Sequence, residues 1–163
     1  MTIAELLLPE FDQEMARTRT MLARVPDDRF DFAPHARSMK LGRLASHLAE
    51  SPQWLTRSVT TEEFEPTPDM KGFNASTRQQ LLDELDARTA VARTHLAGAS
   101  DEVLAVTWTF KWQGRVVFAL PRRDVIRAMV LSHMIHHRAQ LGVYLRLLDI
   151  PVPGTYGPSA DEM

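Results

Sequence analysis

Residues 132–142 read SHMIHHRAQLG, with three histidines in five positions. On a helix, His133 and His137 stand four apart, about 5–6 Å between Cβ atoms, so both imidazoles can reach one ion without backbone strain. His136 is rotated about 100° from His137 and belongs outside, or at the stripe's edge. A third imidazole, His47 in LGRLASHLAE, also falls at a core-facing position of a helix. Three neutral imidazoles from two helices would hold a divalent ion and leave positions open, the arrangement that catalysis needs. The plainer alternative is that buried histidines satisfy their donor and acceptor on neighbouring helices, because HxxxH also recurs by chance. Met134 follows His133 where the zincin motif H-E-x-x-H has its glutamate, so a metalloprotease is not expected. Glu50, three residues after His47, is expected on a solvated helix face, with an imidazole-orienting role as the alternative. Gln140, one turn past His137, could bond a ligand or a neighbouring backbone group.

Four helices are expected to position these residues. The first carries the stripe Leu7, Phe11, Met15, Thr18, Leu22 and Val25, and tolerates Pro9 only in its first turn. The second runs from about Leu41 to Arg57 and is bent or weakened by Pro52. A long acidic connection, VTTEEFEPTPDMKGFNA, separates it from the third. Ser76 and Gln79 form a possible capping box for the third, and Gly98 sits where a left-handed terminus is expected. VLAVTWTF and GRVVFAL then flank Lys111–Gly114 as a short hairpin or extended cover. The fourth helix runs from near Pro121 to about Asp149, where Pro151 and Pro153 stop it. Its stripe is Ile126, Val130, His133, His137, Gln140 or Leu141, Tyr144 and Leu148. The long connection implies that the second and third helices run parallel.

Bulk properties narrow the function. The 163 residues suit one domain, 1–163, able to bury about 70% of the unfolded chain's surface. A net charge of −2 with no basic block argues against nucleic acid and anionic membranes. The start, MTIAELLLPEFDQE, lacks a secretory pattern, no run is long enough to span a membrane, and a cytoplasmic location is expected. There is no cysteine, hence no disulfide and no thiolate nucleophile.

Two stretches carry a family resemblance. VPDDRFDFAPHARSMKLGRLASHLAESPQW, and LSHMIHHRAQLGVYLRLLDIPVPGTYGPSADE with its H-x-x-x-H-R-A/G-Q pattern, resemble the DinB/YfiT-like superfamily of metal-binding proteins. The resemblance covers almost the whole chain, and Ala139 stands where many members have glycine. It implies an all-α, four-helix-bundle fold with a long connection between helices 2 and 3 and a hairpin-like segment before helix 4. It also implies the metal ligands His47, His133 and His137, the same three that periodicity selects. Zinc suits three imidazoles, and nickel, manganese and cobalt accept the same donors. Members with assigned activities resemble thiol S-transferases and a thiol-dependent isomerase, while others look like hydrolases. The implied function is a metal-dependent transferase or hydrolase acting on a small molecule, with a low-molecular-weight thiol as a co-substrate. A non-catalytic binding or stress-response module is the alternative, and a structural bundle a third. The family name reflects a damage-inducible gene, which does not make a DNA-binding protein of an acidic chain. The resemblance further implies a homodimer, for which Val143 and Leu147 offer an apolar face. Arg138 reads equally as a structural ion pair or a substrate contact, Trp54 as core, and His95 as a partner of its helix dipole. Tyr156 and Ser159, in the tail, and His35, in a loop, read as structural.

Overall fold

The computed structural model describes residues 1–163. Helix α1, Ile3–Leu22, opens with a capping box in which the Thr2 hydroxyl accepts from the Glu5 N–H and the Glu5 carboxylate accepts from the Thr2 N–H. Its buried face carries Leu7, Phe11, Met15, Thr18 and Leu22, as the spacing predicts. Pro9 lies inside this helix rather than in its first turn, contrary to expectation. Both Pro9 and Glu5, whose carbonyl loses its usual donor, are exposed, so water can replace that bond and the remaining turns keep the helix straight enough to continue.

The second expected helix is two: α2, Leu41–Glu50, and α3, Gln53–Thr60. Pro52 has no N–H to offer the Leu48 carbonyl, which instead accepts from both the N–H and the hydroxyl of Ser51. The following connection is laced back onto α2. Ala75 N–H donates to Ser46 Oγ at 2.9 Å, and Arg43 donates to the Phe73 carbonyl at 2.9 Å. Within it, β1, Glu63–Phe64, pairs in parallel with a later strand. Helix α4, Arg78–Ala97, is capped by Thr77 rather than Ser76, with Gln80 bonding the Ser76 N–H, one residue later than the sequence reading. Gly98 keeps a right-handed conformation, φ −89°, so it is not the left-handed cap expected there.

A short helix α5, Asp101–Ala105, takes up residues that the sequence reads as extended. Then β2, Thr107–Trp112, and β3, Arg115–Pro121, form an antiparallel hairpin. Its two-residue turn, Gln113–Gly114, has positive φ at both positions, which matches the twist of the strands. The chain is mostly helical but not all-α: β1–β2–β3 make a three-stranded sheet. Trp54 of α3 joins sheet to bundle, its ring edge-on to Phe64, Trp108 and Phe110.

The last helical run is continuous but not uniform. Helix α6, Arg122–Val125, passes into a π-helical segment, Ile126–Ser132, and then into α7, His133–Leu147. Asp149, at φ 56°, ends it: Asp149 N–H reaches the Arg146 carbonyl and Ile150 N–H the Leu145 carbonyl, the Schellman pattern. The core is a single apolar cluster drawn from α1, α2, α3, α4, α5, α7 and the π-helical segment. An exact four-helix count therefore does not describe the chain, because Pro52 and the π-helical segment interrupt two of the expected helices. No helix is long and apolar enough to cross a membrane.

Candidate metal centre

The wide turns before His133 decide how the histidines face the core. Each i→i+5 turn takes up an extra residue, so the apolar stripe beyond it falls later than a uniform α-helix would place it. Met134, Leu141 and Leu145 are buried on α7, while His133 and His137 flank them half-buried. The two imidazoles thus stand at the edge of the core rather than at its centre, open to solvent on one side.

His47 of α2 meets them there. Its Nε2 lies 3.3 Å from His133 Nε2, and His137 Nε2 lies 2.7 Å from the same atom. One donor atom from each ring falls within 4.8 Å of the other two. The sequence expectation of a three-imidazole cluster is matched in space: His47, His133 and His137 come together from residues 86 and 90 positions apart. His136 is exposed beside His137, with ring centres 5.0 Å apart, and stays outside the group. His35 and His95 do not belong to it either; His35 Nδ1 accepts from the Arg37 N–H in its own loop.

The second nitrogens of the rings fix the tautomers. His47 Nδ1 donates to the Glu50 carboxylate at 3.3 Å, and His137 Nδ1 donates to Gln140 Oε1 at 2.8 Å. With protons on Nδ1, both rings present bare lone pairs at Nε2. His133 can offer one proton, to one of them, and never to both. Its own Nδ1 is buried without a regular hydrogen bond, although the Met129 carbonyl one turn back favours a proton there. If His133 also carries its proton on Nδ1, three lone pairs converge with nothing between them.

For His133 and His137 an extra proton does not resolve this at neutral pH. Burial first, and then the neighbouring His137 and His47, depress His133 to about 4. Burial also lowers His137, partly offset by Gln140. The donors instead fit a divalent cation, which needs neutral imidazoles. Ligands 2.0–2.1 Å from a tetrahedral zinc stand about 3.3 Å apart, matching the His47–His133 spacing and somewhat exceeding that of His133–His137.

Glu50 corrects the sequence expectation. It is 6% exposed, not on a solvated face, and accepts from Arg43 at 2.9 Å, from the Phe73 N–H at 2.8 Å and from His47. Burial pushes its carboxyl up, but those three donors outweigh it and hold it at about 2. Glu50 therefore stays ionised and orients His47. Gln140 bonds the His137 ring rather than a neighbouring backbone group. Arg43 and Phe73 were not legible as site residues, since the loop that carries Phe73 has no periodicity to reveal where it docks.

Arg138, next to His137 in sequence, points the other way. It is 2% exposed and donates to the Glu14 carbonyl and carboxylate, Thr18 Oγ1 and the Tyr156 hydroxyl. Tyr156 in turn donates to Glu14, and Arg17 pairs with the same carboxylate. This assigns Arg138 and Tyr156 to tying the tail onto α1 and α7. Ser159, also read as structural, accepts from the Asp161 N–H within that tail. A cavity of about 490 Å³ lies between α7 and the tail, lined by Gly142, Val143 and Tyr156 among others, and contains none of the three clustered histidines.

Residues 1–163 match the family model described as the DinB family. The chain is similar to the uncharacterized protein YrdA of Bacillus subtilis strain 168, at 25% identity, covering 95% of this chain and 89% of that protein. Among solved structures it resembles a DinB-like protein from Bacillus cereus, with a TM-score of 0.72 at 21% identity over 91% of this chain and 95% of the other. It also resembles the DinB-like protein YjoA from Bacillus subtilis, with a TM-score of 0.71 at 16% identity over 92% and 97%. These structural likenesses bear on the fold.

Proposed function

This chain belongs to the DinB family, and from that membership and the converging imidazoles we propose a metal-dependent enzyme in which His47, His133 and His137 hold a divalent ion. The observation that carries the reading is the set of Nε2 lone pairs facing one another with too few protons to satisfy them. Zinc is the preferred ion, and nickel, manganese or cobalt would accept the same donors. Such an ion supplies Lewis acidity at an open position and brings the deprotonation of a water or thiol toward neutral pH.

The chain's own residues favour a thiol S-transferase over a hydrolase. Glu50, the carboxylate touching the cluster, is occupied by three donors and held at about 2, so it is a poor proton acceptor for water. A thiol starts near 8.5–9 and needs much less help than water at 15.7. The protein has no cysteine, so the thiol would be a low-molecular-weight co-substrate that reacts with a small acceptor molecule. Glu50 and Gln140 would orient two of the imidazoles, and the half-buried edge of the cluster would admit both reactants. A cytoplasmic homodimer completes this reading, with the exposed Val143 and Leu147 as its supporting surface; sedimentation of the purified protein tests the dimer.

The function is tested by stripping the protein of metal, reloading it with each ion, and assaying thiol-acceptor and ester substrates beside His47→Ala. Thiol transfer that needs both the ion and His47 is expected. Tight uptake of a thiol without product would replace the enzyme with a binding module. Ester hydrolysis without a thiol would reverse the preference stated above.

A further inference from the structure

Every buried or half-buried arginine but one pairs with a carboxylate or a backbone carbonyl. The exception is Arg57 of α3, which is half-buried. Its guanidinium lies 4.2 Å from the Phe64 ring centre and 5.7 Å from that of Trp54, so two aromatic rings restrain it. Burial, followed by the like charge of Arg88, makes its cationic form less favourable, while Glu50 acts in the opposite sense from the metal centre.

Arg57 borders a cavity of about 300 Å³ between α3 and α4, shared with Gln53, Thr56 and Arg88. Arg88 donates through Nε to Glu84 and through one terminal nitrogen to Gln53 Oε1, leaving its other terminal nitrogen uncommitted. The Gln53 amide nitrogen and the Thr56 hydroxyl likewise have no partner within the protein. Gln53's acceptor is already used, so the lining offers donors from four side chains against little acceptor capacity. Ala87 and Val91 supply an apolar wall. We propose that this cavity is a binding site for a small oxyanion, a carboxylate or phosphate group received by the planar fork of Arg57 with Arg88, Gln53 and Thr56 around it. The site is separate from the three imidazoles and does not depend on an ion being bound there.

The test titrates zinc-loaded and chelator-stripped protein with inorganic phosphate and with succinate at constant ionic strength, read by calorimetry. Saturable one-to-one binding of at least one probe is expected in both forms, and the preferred probe separates a phosphoryl from a carboxylate ligand. Arg57→Gln should weaken that binding about tenfold or more, whereas Arg24→Gln, which removes an exposed arginine elsewhere, should leave it unchanged. Equal binding by wild type and Arg57→Gln, an equal loss in Arg24→Gln, or binding that disappears on stripping the metal would overturn the site. If circular dichroism shows Arg57→Gln to be unfolded, Arg57→Lys decides. A several-fold loss with charge retained supports the fork, and wild-type affinity rejects it.

Discussion

Successive residues of α7, His137 and Arg138, enter two polar clusters of opposite character. Around Arg138 the donors and acceptors match: guanidinium, carboxylate, hydroxyls and a carbonyl are all paired, and Arg138, Glu14 and Thr18 are almost fully buried. Around His137, Nε2 lone pairs converge with too few protons among them, and the rings are only half-buried. A closed network spends its interactions on holding elements together. An open one keeps interaction capacity for something that arrives later. The contrast separates a structural arginine from the clustered histidines more cleanly than residue type does.

Replacing His133 with alanine should have the largest effect on the open cluster. After reconstitution, bound metal should fall from about one equivalent per chain to near zero by elemental analysis, because two imidazoles rarely retain an ion that three are arranged to hold. Wild-type metal content in that variant would remove the distinction between the clusters. Arg138→Ala tests the closed side. It removes one of the two guanidinium partners of the buried Glu14 carboxylate, which keeps Arg17 and Tyr156, and should cost about 2–3 kcal/mol in chemical denaturation of the metal-free protein, with metal content unchanged once folded. Glu50→Gln sharpens the comparison by weakening the support of His47 together with the Arg43 and Phe73 contacts, while leaving all three imidazoles in place. Chelator competition should show metal affinity reduced about 10- to 100-fold.

The smallest effect is a pH dependence in the metal-free protein. His133 is lowered to about 4 when folded, chiefly by burial, against an ordinary 6.5 when unfolded. The unfolded chain therefore binds more protons between those values, and stability that is complete above about pH 6.5 should be lost progressively as pH falls toward 4. His137, also lowered, acts in the same direction. Denaturation midpoints measured across that window should slope less in His133→Ala. The carboxylates Glu14 and Glu50, both lowered on folding, contribute below their ordinary 4.5, so most of their effect lies at lower pH.

The three clustered histidines were legible because helical spacing is a local property. His133 and His137 share a face wherever they are helical, and His47 marks a polar interruption in an otherwise apolar stripe. Glu50 was misread for a related reason: its spacing from His47 was visible, but the loop carrying Phe73 that buries it was not. The buried Glu14 leaves a faint trace, an acid three residues after Phe11 on the core side of α1, yet apart from Arg17 its partners come from residues more than a hundred positions away. Pro9 shows that local rules can also overstate a break, since an exposed carbonyl can turn to water.

The amino-acid sequence by itself determined the main helical runs, the place of a hairpin or extended cover, the missing thiol and the identity of three candidate ligands. These follow from short-range periodicity, backbone preference and composition. Only the tertiary structure decided that Glu50 is buried, that Arg138 is fully paired, that Arg57 is not, and that the imidazoles sit at the rim of the core. Each of those depends on which distant donors and acceptors meet, and on how far the π-helical turns rotate α7 before they do.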